Sequence, residues 1–268
     1  MPEQPGPLEF ERRVLLRLGV AAATLGGASA FVAARVSAAT RSPFDPPPGV
    51  RPVAVAHTRP KPAGTATLSP LNIVSRAAWG ADEHLRGKAD FDRHVEKLIV
   101  HHTATRNTAS DWPAQVRGIY RNTIARSYRD MPYHWLIDPN GFIYEGRWAR
   151  AVPVNAVPNG EDAQHRSVRG GHALGHNART IGIALLGNFD DHEPTPASFR
   201  ALIGLTAWKC ERWNIDPQAA SPYRRDDDDT ETFPNISGHR RVFSTDCPGR
   251  RLNAMLPLLR AAVAQHVA

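Results

Sequence analysis

The chain has 268 residues, 41% hydrophobic and 22% charged, proportions ordinary for a globular protein of one or two domains. The formal net charge of +7 suits a polyanionic partner, although an arginine-rich composition accounts for it equally well; no nucleic-acid fingerprint accompanies it, so nucleic acid is not an expected partner. Two cysteines, Cys210 and Cys247, allow at most one disulfide.

The first segment reads as an address. Arg12-Arg13 precedes a mild apolar stretch from Leu18 to Ala34, and Val36-Ser37-Ala38 offers small residues for cleavage. A charged start, a weak apolar core and a small-residue exit make residues 1–39 an export signal of the twin-arginine type. The stretch is short and glycine-rich against the roughly 20 residues of a membrane span, so cleavage and contact with the membrane only in transit are expected, an uncleaved anchor being the alternative. Residues 40–69 hold Pro46-Pro47-Pro48 and Pro60-Lys61-Pro62 with no apolar period, the pattern of an extended, disordered linker. Residues 70–268 then form the folded part, enough for one well-buried core.

Within it, Lys97–Thr103 is an apolar run ending in polar residues, a buried strand with histidines at its C-terminal end. Ser110–Arg126 carries Trp112, Val116, Ile119, Tyr120 and Ile124 at helical spacing. Tyr133–Asp138, the turn Pro139-Asn140-Gly141 and Phe142–Glu145 spell a hairpin. Thr180–Gly187 is apolar on both faces, as a central strand should be. Thr195-Pro196 is a cap followed by proline in the first helical turn, opening a helix with Cys210 on its apolar face. Asn235–Gly238 is a short last strand, and Leu252–Val267 a last helix. Asp226–Asp229 lacks the alternating ligands of a calcium loop and reads as solvated surface. The whole is a single α/β domain with a central mixed β-sheet flanked by helices.

Three residues have the chemistry of metal ligands. His101 ends a strand, His239 follows Gly238, and Cys247 lies eight positions further on. Two imidazoles and a thiolate form a catalytic zinc set with one coordination position left open. Side chains alternate along a strand, so only one of His101 and His102 can face the metal. A structural site would need a fourth protein ligand. Spacing alone leaves a metal site and a plain buried thiol both open.

The ordered motifs extend this. Ser75-Arg76-Ala77-Ala78-Trp79-Gly80, Leu98–Ala104, Tyr133–Asp138, Tyr144-Glu145-Gly146-Arg147, Gly171-His172-Ala173, Asn177–Ile183, Gly238-His239 and Cys247-Pro248-Gly249 together resemble the type 2 N-acetylmuramoyl-L-alanine amidases, which include peptidoglycan recognition proteins and T7-type lysozymes. The resemblance implies the fold of that family and zinc held by His101, His239 and Cys247. It implies hydrolysis of the amide joining N-acetylmuramic acid to L-alanine in peptidoglycan, or peptidoglycan binding without catalysis. Tyr133 matches a tyrosine of the members that cut, and Thr245 stands where some members carry a lysine, so both are the implied catalytic residues. His172, His102 and Arg147 are the implied contacts to substrate. Ala184 replaces the strand glutamate of the cytoplasmic branch, leaving water activation to zinc and Tyr133. A secreted or wall-associated monomer is expected. The proline-rich loop 148–169 is longer than is common and is expected either to wall the groove or to be disordered.

Overall fold

A computed structural model describes residues 71–153 and 156–267. The export signal and the linker lie outside the described residues. The elements run β1 (Ile73–Val74), α1 (Arg76–Trp79), β2 (Phe91–Asp92), β3 (Lys97–His102), α2 (Trp112–Ala125), β4 (Trp135–Ile137), β5 (Ile143–Glu145), β6 (Ser167–Val168) and β7 (Thr180–Leu185). They continue with α3 (Pro196–Trp213), β8 (Ala220–Arg224), β9 (Thr230–Pro234), β10 (Ile236–Gly238), a single turn of 3-10 helix at His239–Arg241, α4 (Arg250–Ala254) and α5 (Leu256–Ala264).

Among the described residues, six strands form one mixed sheet in the order β1-β5-β4-β7-β3-β10. Only β4 and β5 pair antiparallel within it, joined by the Pro139-Asn140-Gly141 turn. That turn closes because Asp138 Oδ1 accepts from the backbone N–H groups of Asn140 and Phe142, and Gly141 takes a φ of +87°. The other neighbours are parallel, and β3 beside β7 is the longest pairing.

The two faces of the sheet bury different layers, and strand alternation assigns each residue to one of them. Leu98, Val100, Trp135, Ile137, Ile181, Ile183 and Leu185 pack against Leu202, Leu205 and Cys210 of α3 and against Leu252 and Leu259 of α4 and α5. Leu136 and Tyr144 face the other way, with Trp79, Val116 and Tyr120 from α1 and α2. Both long helices start as their sequences dictate. Asp111 caps α2 by accepting from Ala114 N at 2.9 Å, and Thr195 caps α3 by accepting from Ser198 N at 3.1 Å. None of the helices among the described residues is long and apolar enough to cross a membrane.

Three expectations gain detail. The last helix is two, because Pro257 in the first turn of α5 has no N–H to continue the ladder from α4. The Asp226–Asp229 run, exposed throughout, is the turn of an unforeseen hairpin, β8–β9. Loop 148–169 is structured in its described part. Lys209 Nζ donates to Asn159 O at 2.7 Å, Arg212 pairs with the buried Glu161, and β6 pairs with β2, so residues 156–169 are fastened to α3 and to the sheet's flank.

Candidate metal centre

His101 lies at the C-terminal end of β3 on the face away from α3, in register with Ala184 of β7. This half of the face carries little bulk: Gly182 and Ala184 stand where larger side chains would fill the space above the sheet. His239 enters from the turn after β10, which pairs with the start of β3. Cys247 follows on the loop to α4. The ligand atoms of His101, His239 and Cys247 all lie within 4.8 Å of one another. The Cys247 Sγ to His101 Nδ1 distance is 3.5 Å, and the rings of His101 and His239 are 4.5 Å apart. The three proposed ligands, 146 residues apart at the extremes, are therefore assembled in one place.

The electrostatics suit a cation. Burial holds His101 well below its ordinary pKa and brings His239 down to about 4, so both imidazoles keep a lone pair at neutral pH. Burial also pushes the Cys247 thiol up to about 12, with the His102 N–H on its sulfur, at 3.4 Å, opposing that rise. A sulfur so placed releases its proton in favour of a positive charge. His239 Nε2 is buried with no hydrogen-bond partner in the protein. Two imidazoles, one of them with an orphaned nitrogen, and a soft sulfur brought together in this way fit a zinc ion.

Tyr133 sits on the segment leading into β4, its ring 5.2 Å from that of His101. Burial first, then the neighbouring Cys247, raises its phenol above the ordinary value, so the hydroxyl stays a donor. Thr245 Oγ1 accepts the backbone N–H of Cys247 at 3.3 Å, which leaves the hydroxyl proton unspent on that bond.

The expected substrate contacts fare differently. His102 points to the opposite face, as alternation demands, where its Nδ1 accepts from Phe189 N at 3.3 Å; only its backbone serves the centre. His172 is buried beside His101, and both its ring nitrogens are engaged: Nδ1 with His101 Nε2 at 3.0 Å and Nε2 with Thr180 Oγ1 at 3.3 Å. Arg147 is buried too, with Nη1 3.5 Å from Met131 O. His102 thus faces away from the centre, and His172 and Arg147 are packed inside, because a short loop and a tight hairpin bury what they carry.

Sequence reasoning passed over His134, His176, Thr180 and Phe243. His134 Nδ1 accepts from Gly182 N at 2.9 Å while its Nε2 meets Val168 O at 2.7 Å, tying β4 to β7 and the β6 loop. Phe243 stacks on His239 at 5.6 Å and 16° with its other side open. The signal available was Gly170 and Gly182, since small residues around a buried ring mark where it must fit.

Residues 91–250 match the family described as N-acetylmuramoyl-L-alanine amidase. Peptidoglycan-recognition protein SC2 of Drosophila simulans is 28% identical over 186 residues, covering 68% of this chain and 83% of the relative. A peptidoglycan recognition protein of Bombyx mori is 30% identical over 194 residues, 70% of this chain and 81% of the relative. Among solved structures, a tyrosine-to-phenylalanine variant of Drosophila PGRP-LB in complex with tracheal cytotoxin superposes with a TM-score of 0.51 at 25% identity, covering 69% of this chain and 92% of that one.

Proposed function

Since the chain belongs to the N-acetylmuramoyl-L-alanine amidase family, we propose that it is a zinc-dependent amidase that cuts peptidoglycan between the lactyl group of N-acetylmuramic acid and the L-alanine of the stem peptide. The observation that carries this reading is the convergence of His101, His239 and Cys247 beside a protonated Tyr133. Its site of action is outside the cytoplasm, after twin-arginine export, and it acts as a monomer.

His101, His239 and Cys247 would hold the ion. When bound, zinc supplies a Lewis acid that polarises a carbonyl and lowers the pKa of water to about 7. The chain's own residues do the rest. Tyr133 donates its hydroxyl proton as a hydrogen bond to the oxygen that gains charge when water adds to the amide carbon. Thr245 offers a second, neutral donor, with its oxygen held by Cys247 N–H. The carbon–nitrogen bond then breaks, the acyl carbon keeps the oxygen of water, and a proton from that water ends on the alanyl amine. Buried imidazoles with lowered pKa values stay available for ligation rather than for protonation.

The relatives named as recognition proteins favour a second reading, in which the same groove binds muropeptide without cutting it. Incubation of the purified protein with peptidoglycan separates the two. Release of peptides with a free L-alanine amino terminus, stopped by chelation, restored by zinc and abolished by Cys247→Ser, is the result expected of the amidase. Binding that persists in all these conditions with no new amino termini would establish the recognition module instead.

A further inference from the structure

His172 has been placed inside the protein, and its surroundings are more specific than packing requires. The ring occupies a slot with no side-chain volume on two sides. A Cβ at Gly170 would come within 2.7 Å of His172 Cδ2, and one at Gly182 would run into the same ring. The slot orients both nitrogens. Thr180 Oγ1 lies 2.5 Å from His176 O, so its one proton goes to that carbonyl. Its oxygen, 3.3 Å from His172 Nε2, must then accept from Nε2–H. A neutral His172 protonated on Nε2 has a bare Nδ1, and that atom sits 3.0 Å from His101 Nε2. His101 therefore carries its proton on Nε2, which leaves the lone pair on Nδ1, the nitrogen 3.5 Å from Cys247 Sγ. The anchor is itself fixed. Buried His176, whose carbonyl takes the Thr180 proton, has its Nε2 2.6 Å from Glu231 Oε1 on the β9 strand.

We propose that His172 is a positioning residue for the metal: with Thr180 behind it, it fixes the tautomer and ring angle of His101 so that Nδ1 faces the ion. This rests on the zinc reading above. A ligand histidine whose other nitrogen is held gains in basicity and loses rotational freedom, and removing such a partner costs about 10- to 100-fold in metal affinity. The hydrogen-bond chain reaches from β7 through the loop before it to β9, so the hairpin contributes to holding the ligand.

The test is zinc affinity of the purified full chain by competition with a chromogenic chelator, together with the visible spectrum of the cobalt(II) form. His172→Phe keeps a ring but offers no acceptor; His172→Asn puts an amide oxygen near the place of Nδ1. The expected result is a zinc affinity lowered about 10- to 100-fold with an altered cobalt spectrum in His172→Phe, against about threefold or less in His172→Asn. Thr180→Val, which leaves the imidazole in place and removes the hydroxyl that accepts from it, is expected to weaken zinc severalfold and serves if His172→Phe does not fold. Unchanged affinity in both His172→Phe and Thr180→Val, with the loss falling on muropeptide binding, would overturn the assignment in favour of a substrate contact. Equal losses in His172→Phe and His172→Asn would overturn it in favour of simple packing. Absence of zinc binding in the unaltered chain would overturn the functional reading itself, and this inference with it.

Discussion

Tyr133 and His134 are adjacent in sequence, yet their protons are fixed for opposite purposes. The Tyr133 phenol is held above its usual pKa by burial and by Cys247, so it acts as a donor throughout the neutral range. Tyr133→Phe is expected to lower kcat by about 10²- to 10³-fold with little change in muropeptide affinity, the size of effect seen when one oxyanion donor is removed; steady-state kinetics beside calorimetric binding check it. His134 is instead kept neutral, its pKa brought from 6.5 to about 4 chiefly by burial. Between those values the unfolded chain binds a proton that the folded chain refuses, so this contribution to stability is complete above about 6.5 and is lost as pH falls toward 4. At roughly 1.4 kcal/mol per unit the loss amounts to about 3 kcal/mol. Urea midpoints at neutral and acid pH should fall less steeply in His134→Asn than in the unaltered chain; equal slopes would remove His134 from the account. At this scale the three candidate ligands were legible in the sequence because each stands in a short motif of its own, and the structure brings their ligand atoms within 4.8 Å of one another. The engagement of His172 was not, since it depends on Gly170, Gly182 and Thr180 meeting one ring through space.

At the scale of elements, periodicity served well wherever an element buries one face or both. β3, β4, β7, α2 and α3 lie where their apolar patterns put them, with ends shifted by a residue or two. The β8–β9 hairpin escaped because its alternation is shallow: Tyr223 and Phe233 are its buried side chains, while alanine, proline, charged and hydroxyl residues fill the remaining positions. Its attachment is polar as well. Lys97, at the start of β3, donates through Nζ to Ser221 O, Ser221 Oγ, Phe233 O and Asn235 Oδ1, all between 2.6 and 2.9 Å. Such a buried ammonium looks like any surface lysine when read from sequence. Lys97→Met keeps the apolar stem but orphans those acceptors, and about 3 kcal/mol of stability should go with them. Equilibrium denaturation measures this directly, and amide exchange should show the loosening confined first to residues 220–234.

For the molecule as a whole, the sequence disclosed a mixed sheet between helical layers because its strongest strands alternate with helices and one tight turn. It could not disclose that the sheet feeds two unlike layers, one apolar throughout and one that also carries the candidate ligands, since that follows from strand order. Metal and fold should be linked accordingly. An ion bound only by the folded chain adds about 2.7 kcal/mol when present at 100 times its Kd, or about 5–10 °C in Tm for a chain of this size. Calorimetry should show that rise with zinc, its loss with chelator, and no response in Cys247→Ser.

The six residues of β3 also set how this protein can change. Val100 belongs to the apolar layer and His101 to the open side, with the next backbone N–H on the sulfur. Inserting one position upstream would turn His101 to the apolar layer and Val100 to the open side, whereas deleting one would put His102 in the place of His101; either slip turns the apolar set of β3 out of its layer. Insertion and deletion are thereby costly in this ribbon, so variation at the candidate centre is expected to come by exchange of side chains on an unchanged scaffold.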